Sequence, residues 1–525
     1  MAVVIKSIGL QGLNGYPVDV EVSVCSGVAA TSIVGLGDAA VKEARDRIEA
    51  CALIRSFFIK NFIRLFSGKL PQVPQKKIII NLSPSEIKKS GTYFDLAMII
   101  GLLIESGQVI PESIELDTYI ILGEISTTGS LRGFSGALPM LIEAKRRGYT
   151  KVIIPKACLA EAALVQGLEI YVFTTLYEVV GYLEKRNHVS PYKRVPIKTL
   201  STANVIDFSD VKGHNEVIPY LTVAAAGTHN LLMVGAPGCG KSMIAKRLPS
   251  IMPEMTEDEI LEVTSIYSAA GLLHTNTLMN YRPYRSPHYN VSTNALIGGG
   301  ANAQPGEITL AHRGILFLDE FPEFSRRTLE ALRQPLEDRH ITIARVKHTN
   351  CYPADFLLIA AMNPCPCGRQ GSDSCQCTPF EIKRYRQRIS GPILDRIDIQ
   401  KYMGTINFTN PNIEYETVTS RELKEQVEGA RHIQTKRFIN CPGISTNSGM
   451  ETAHLKEYCD LNSESRQLMM RAFEKYQFSA RSYDKILRLA RTFADLEGEL
   501  TIGKPHIIRG LMARDLDKEH QMQDL

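Results

Sequence analysis

At 525 residues the chain has room for roughly three or four domains with cores of their own. Its 44% apolar and 22% charged residues exclude global disorder, and 60 Lys and Arg against 56 Asp and Glu, a formal net charge of +4, exclude a uniformly polybasic protein. A balance that small still allows basic side chains to be concentrated locally.

The opening MAVVIKSIGLQG lacks a basic region followed by a long apolar core, so it does not read as a secretory signal. The longest apolar run, residues 96–104, is too short to cross a bilayer. A soluble, cytoplasmic chain with no membrane partner is expected. Residues 18–24 (VDVEVSV) alternate as a half-buried strand, and 77–84 (KIIINLSP) read as a more buried one. Residues 38–53 have helical spacing, with Ala40, Ala44, Ile48 and Cys51 on one face, and 151–155 (KVIIP) form a strand after a helix rich in Ala, Lys and Arg. Residues 1–185 therefore suggest a compact α+β domain. In 186–206, Pro191 and Pro196 and four basic residues with no acidic one suggest an exposed linker.

Residues 207–410 alternate strands with helices, and LLMVGAPGCGKS and GILFLDE carry apolar runs that a parallel sheet buries on both faces. From 411 to 525 the pattern is helical. Thr419 and Glu422 form a capping box for a helix through His432, and Tyr483, Ile486, Leu487, Ala490, Phe493 and Ala494 make an apolar stripe over 482–496. The expected fold is multidomain α/β, with a parallel-sheet domain at its centre.

Residues 235–242 match the phosphate-binding loop G-x-x-x-x-G-K-[ST] in full, between an apolar strand and a helical segment. Gly235, Ala236, Pro237, Gly238, Cys239 and Gly240 would curl backbone N–H groups around ATP phosphates. Lys241 supplies a point charge for the β- and γ-phosphates, and the Ser242 hydroxyl a ligand for Mg²⁺. Downstream, the apolar strand of ILFLDE ends in Asp319, suited to the Mg²⁺ shell, and Glu320, suited to polarising the attacking water. A third strand, FLLIAAMN, ends in Asn363, placed to orient that water or sense the γ-phosphate.

These three elements, in this order, resemble the AAA+ ATPases. The stretch RPYRSPHYNVSTNALIGGGANAQPGEITLAHRGILFLDE, followed by LEALRQPLEDR, AAMNPCPCG and SGPILDRIDI, is similar to the magnesium-chelatase-related group, and within it to the ComM/YifB family. The likeness runs over essentially the whole chain. Ala236 stands where the family has a proline, and HNEVIPYLTVAAAG after Gly213 departs from its usual pattern. The resemblance implies a hexameric, ATP-driven DNA motor acting in branch migration, recombination or natural transformation, with a recombinase as a possible partner. It also implies a helical lid over 411–525. By motif, Arg396 in ILDR corresponds to an arginine finger entering a neighbouring subunit's site, and Arg481 in FSARSYDK to a second sensor arginine. The alternative is a chelatase-like protein-remodelling ATPase that does not act on DNA.

Of eleven cysteines, seven are scattered singly, and Cys25, Cys51, Cys158 and Cys459 among them read as small buried hydrophobes in a reducing compartment. Cys365, Cys367, Cys375 and Cys377 form two C-x-C pairs around a Gly- and Ser-containing connector, a set suited to structural Zn²⁺. Free thiols are the other reading. Two basic stretches could meet DNA: a hairpin over 341–350 carrying Arg345 and Lys347 with His348, and RPYRSPHYN with Arg282, Arg285 and His288 among tyrosines. The run KRYRQR at 383–388 suits a solvated face or a subunit contact. Finally, residues 1–185 resemble the C-terminal domain of Lon-type proteases, but Tyr93 and Leu138 stand at the positions of the nucleophilic serine and its lysine base. An ATPase without peptidase activity is expected.

Overall fold

In the strand Asn14–Cys25, Tyr16, Val18, Val20 and Val22 are buried while the intervening residues face outward, the two-residue period of a sheet with one covered face. Cys25 was expected to be buried but is exposed, because it falls on the outward parity at the strand's end; Cys351 is exposed as well. The computed structural model describes residues 2–53, 76–112, 114–193, 206–273, 278–300, 303–345, 348–404, 417–476 and 478–516. The side chain of Cys51 and most of the expected linker, 194–205, lie outside them. The chain divides into two compact units, Met1–Thr199 with Ile260–Met279, and Leu200–Glu259 with Asn280–Leu525. The assignment of Ile260–Met279 to the first unit has no counterpart in the sequence reading.

The first unit holds a four-stranded sheet in the order Val3–Gln11, Asn14–Cys25, Lys77–Ser83, Ala30–Val34, antiparallel except for its last pair. The helices Asp95–Glu105 and Ala137–Arg146 pack on it. A second, parallel sheet is formed by Tyr119–Ile121, Lys151–Pro155 and Glu169–Phe173. Tyr93 and Leu138 are part of this core: Leu138 is fully buried, and the Tyr93 ring packs 4.6 Å from Phe94 and 5.5 Å from Phe134. Buried Asp95 is held by Arg47 at 2.7 and 3.1 Å; burial pushes its carboxyl up to about 6 against the pull of that guanidinium.

In the second unit the strand Leu231–Gly235 is buried along its whole length, which explains its unbroken apolar run. It is flanked by Leu357–Met362 and Ile399–Met403, and the sheet continues past Leu357–Met362 to Ile315–Leu318 and Tyr284–Arg285. Every neighbouring pair is parallel. All carboxyl ends of these strands therefore share one edge, and all amino ends the other.

Helices follow from Thr419 onward. The capping box forms as expected, opening the helix Ser420–Arg437. The helix Ala480–Leu496 is wetted on almost no side, because Leu489 and Phe493 join the sheet's core while Ile486, Leu487 and Ala490 join a core among the helices. A buried polar chain crosses the same junction: His229 Nε2 lies 2.8 Å from Thr492 Oγ1, Asn447 Nδ2 donates to Thr492 (3.0 Å) and Asp495 (2.7 Å), and Asp495 accepts from Arg437 at 2.5 and 2.7 Å. Hydrogen-bonded chains of this kind favour one packing arrangement, since slippage would strand further buried polar atoms beyond His229 Nδ1. No helix among the described residues is long and apolar enough to cross a membrane.

Candidate active site

The phosphate loop leaves the carboxyl end of Leu231–Gly235 and enters the helix Lys241–Arg247, with Gly238 and Gly240 at φ of 78° and 92°, where side-chain-bearing residues are strained. Lys241 is nearly buried. Its Nζ donates to the carbonyls of Gly235 (2.6 Å) and Ala236 (3.0 Å) and to Asn363 Oδ1 (3.3 Å). Ser242 Oγ donates to Asp319 Oδ2 at 2.6 Å, and Asp319 Oδ1 accepts the Glu320 N–H at 2.9 Å. Glu320 sits at φ 51° and is exposed, so the turn after the strand sends consecutive carboxylates different ways, Asp319 to the loop and Glu320 to solvent. Lys241, Ser242, Asp319 and Asn363, far apart in sequence, are thus joined by hydrogen bonds at one sheet edge. The geometry suits a triphosphate with a hard cation: backbone donors and an ammonium for the phosphates, a hydroxyl and a carboxylate for Mg²⁺.

His214 is a neighbour the motifs do not signal. It is buried against the loop at Gly240, its Nε2 has no partner, and burial holds its pKa below the usual imidazole range.

Arg396 and Arg481 lie elsewhere. Arg396 precedes the strand Ile399–Met403, and its carbonyl accepts from Asn230, the residue before Leu231–Gly235. Both therefore belong to the amino edge, across the sheet from the chain's own phosphate loop. The Arg396 guanidinium pairs with Glu337 and donates to the Pro392 carbonyl at 2.7 Å, while its Nε is buried without a partner. Arg481, mostly exposed, stands 3.8 Å from Asp395. Both arginines line a cleft of 920 Å³ whose wall also includes Glu337, Lys485 and Arg488. Arg488 follows Arg481 by two helical turns, a spacing that could have singled it out. Beside it, burial raises the Asp398 carboxyl, but His229, whose Nδ1 lies 3.6 Å away, together with the charges of Lys485 and Arg488, outweighs burial and holds it at about 2.

The four cysteines come together. Cys365 is buried, and its Sγ lies 3.4 Å from that of Cys367 and 3.9 Å from that of Cys375, with Cys367 and Cys375 3.7 Å apart. With Cys377, all four sulfurs lie within 4.8 Å of one another, a cluster able to hold a metal ion. Backbone donation from Arg369 leads the influences that bring the Cys367 thiol down to about 6. This knuckle abuts the phosphate loop: a Cβ added at Gly368 would come 2.5 Å from Pro237 Cδ.

The basic stretches expected to meet nucleic acid fare unequally. Arg282 donates to the carbonyls of Pro253 (2.6 Å) and Arg313 (2.8 Å) and pairs with Glu259 (3.0 Å), and Arg285 holds Glu307 at 2.6 and 2.7 Å. These two guanidiniums brace the chain rather than face outward, because carboxylates stand within reach. His288 is exposed and stacks 4.2 Å from Tyr289. The expected hairpin forms from His340–Arg345 and His348–Pro353, with Arg345 opposite His348. Lys347 lies outside the described residues, as does the side chain of Arg345. From the run at 383–388, Arg386 is buried and bonded to Gln370 (3.0 Å) and Tyr402 (2.9 Å), and Arg388 pairs with Glu323 at 2.7 Å.

Known families match most of the chain. Residues 207–410 match the family described as magnesium chelatase, subunit ChlI; residues 20–158 match subunit ChlI of Mg-chelatase, and 417–514 its C-terminal region. The chain is 37% identical over 511 residues to the protein YifB of Escherichia coli, covering 97% of this chain and 96% of that one. It is 35% identical over 531 residues to the competence protein ComM of Haemophilus influenzae, covering 99% of each. To YifB of Salmonella typhimurium it is 36% identical over 512 residues, covering 97% and 96%.

Proposed function

Since the chain belongs to the ComM/YifB family of magnesium-chelatase-related AAA+ ATPases, we propose that it is a hexameric motor that hydrolyses ATP between neighbouring subunits and drives branch migration of DNA in recombination or natural transformation. The observation that carries this reading is the division of the site across the sheet: nucleotide-binding groups at the carboxyl edge, Arg396 and Arg481 at the amino edge. One copy has both halves and cannot bring them together; two adjacent copies in a ring can.

In the proposed reaction, loop N–H groups and Lys241 bind the triphosphate, and Glu320 accepts the proton of the attacking water. Asn363, already tied to Lys241, aligns water and γ-phosphate, and Arg396 and Arg481 from the next copy offset the charge that builds up during transfer. Mg²⁺, held by Ser242 with Asp319 nearby, would supply charge neutralisation at the β- and γ-oxygens. The cysteine knuckle is proposed to hold Zn²⁺ structurally. A tetrahedron with Zn–S bonds of about 2.3 Å has edges of about 3.8 Å, and the measured sulfur separations are 3.4, 3.7 and 3.9 Å. Four thiolates leave no open position for catalysis.

DNA contact is proposed for Arg345 and Lys347 of the stretch 341–350, with His288 secondary; a ring would gather these side chains from several copies into one basic channel. Residues 1–185 are proposed as a Lon-like domain without peptidase chemistry, since Tyr93 and Leu138 fill the core, and 411–525 as the helical lid. The test is ATP turnover with and without branched DNA at low and high salt, comparing the natural chain with R345A/K347A. Salt-sensitive stimulation that disappears in the double variant supports the DNA motor. Equal turnover with and without DNA at low salt favours a remodelling motor whose partner is protein.

A further inference from the structure

Every arginine and lysine lining the amino-edge cleft but one has a carboxylate within 4 Å. Arg396 pairs with Glu337, Arg339 lies 3.7 Å from Asp355, Lys485 and Arg481 each lie 3.8 Å from a carboxylate, of Asp398 and Asp395 respectively. Arg488 is the exception. Among the described residues its half-buried side chain makes no hydrogen bond or ion pair, Asp398 feels its charge only from beyond ion-pair distance, and its Nε is buried with no partner, although it lines the same 920 Å³ cleft. A buried N–H of a charged guanidinium left without an acceptor is costly, typically by more than that of a neutral group. Positions of this kind persist where a ligand completes them.

The placement of Arg488 is rigid. It follows Arg481 by seven residues on the helix Ala480–Leu496, about 10 Å along the axis and on the same face. Between them Lys485 fastens the helix to the Arg396 loop, donating to the carbonyls of Asp395 and Ile397. Arg396, Arg481 and Arg488 are therefore presented by one clamped junction. Asp484 also lines the cleft, so it is no general anion trap. Its occupant must bring several phosphate oxygens and a counter-cation of its own, as a magnesium-bound nucleoside triphosphate does.

We infer that Arg488 is a third cation acting on the neighbouring subunit's nucleotide, contacting the phosphates that Arg396 and Arg481 also face. This rests on the reading that the ATP site is shared between copies. The guanidinium fork suits bidentate phosphate binding, so lysine should substitute only in part.

The test is ATP turnover in mixed assemblies. Arg488→Ala alone should lower turnover by roughly ten- to a thousandfold while its own loop binds fluorescent ATP normally, and Arg488→Lys should recover part of the loss. Mixing Arg488→Ala with Lys241→Ala, each nearly inactive, should restore turnover, because an intact loop on one copy then meets an intact cleft on the next. A purely structural role gives no such restoration. The control is the mixture of Arg396→Ala with Lys241→Ala. If the control is restored and the Arg488→Ala mixture is not, Arg488 is excluded as a trans-acting group and the shared site stands. If neither is restored, the shared site fails and this inference fails with it. Full turnover by Arg488→Ala alone also overturns it. A lower melting temperature in Arg488→Ala is controlled by Arg488→Lys, which must fold like the natural chain and show the same mixing behaviour to the extent that it is impaired.

Discussion

At the carboxyl edge of the parallel sheet, one chain assembles its chemistry by itself: Lys241 reaches Asn363, and Ser242 reaches Asp319, before any partner is present. At the amino edge the reverse holds. Arg396 is occupied by a carboxylate, Arg481 is mostly exposed and Arg488 is unpaired. The first edge is finished and the second is waiting. A parallel sheet makes this division unavoidable, because a residue preceding one strand and a loop following the adjacent strand are separated by the strand's length. On the proposed reading, Arg396 and Arg481 at the amino edge would make turnover a property of assembly.

The largest effects should come from breaking either edge alone. Lys241→Ala should abolish both ATP binding and turnover. Glu320→Gln should keep binding and lose turnover by roughly a thousandfold or more, since the exposed carboxylate that accepts the proton is gone. Arg396→Ala should match Glu320→Gln in both respects, with a loss on the order of 10³–10⁵, yet differ from it in one. Turnover by Arg396→Ala should return on mixing with Lys241→Ala, whereas a variant defective at the same edge as Lys241, such as Glu320→Gln, should not be rescued by that partner. Phosphate release and nucleotide binding measured in parallel separate the cases. Rescue of Glu320→Gln by Lys241→Ala would erase the distinction between the edges.

A smaller effect should follow from loosening the carboxyl edge indirectly. Cys365 is the buried member of the cysteine knuckle, and Gly368 within it presses on Pro237 of the phosphate loop. Cys365→Ser should release bound metal, read by elemental analysis, and reduce turnover by roughly severalfold, through weaker ATP binding rather than loss of chemistry. Removing metal from the natural chain with a chelator should reproduce the change. Full metal content in the variant, or unaltered nucleotide affinity after metal loss, would detach the knuckle from the loop.

The two edges were not equally legible in sequence. The carboxyl edge was readable because its chemistry is written as contiguous motifs at the ends of apolar strands: GAPGCGKS, ILFLDE and FLLIAAMN each carry a secondary-structure signal beside a reactive residue. The hairpin over 341–350 and the capping box at Thr419 were equally local, and both formed. The amino edge depends on which acid stands near which base, and that is set by tertiary packing. Nothing in the sequence pairs Arg396 with Glu337 or Arg282 with Glu259. In the same way, sequence does not show that Arg282 and Arg285, candidates for DNA contact, are held by carboxylates within the chain. Arg488 was legible in part, through its helical spacing from Arg481, but its lack of a partner is visible only in three dimensions.

The smallest prediction concerns pH, and it bears on the waiting edge. Asp398 lies beside Arg396 at the amino edge, and its carboxyl is held at about 2, below its unperturbed range, because His229 and Lys485 outweigh the opposing effect of burial. A depressed carboxyl binds its proton more readily in the unfolded chain, so its stabilising contribution is fully present above about pH 4 and is lost as pH falls toward 2, on the order of 2 kcal/mol in all. Asp95 in the first unit has the opposite sign: raised by burial to about 6, it favours the folded state below about pH 4, and that contribution is lost as pH rises through 6. Thermal unfolding followed from pH 7 to pH 3 should therefore show Asp95→Asn flattening the upper part of the profile and Asp398→Asn the lowest part. Across the range where turnover is measured, the amino edge should keep its geometry. Any fall in ATP hydrolysis between pH 7 and 5 then belongs to the carboxyl edge, where a carboxylate must accept a proton, and a matching loss of rescue by the Lys241→Ala partner over that range would move the cause to the other side of the sheet.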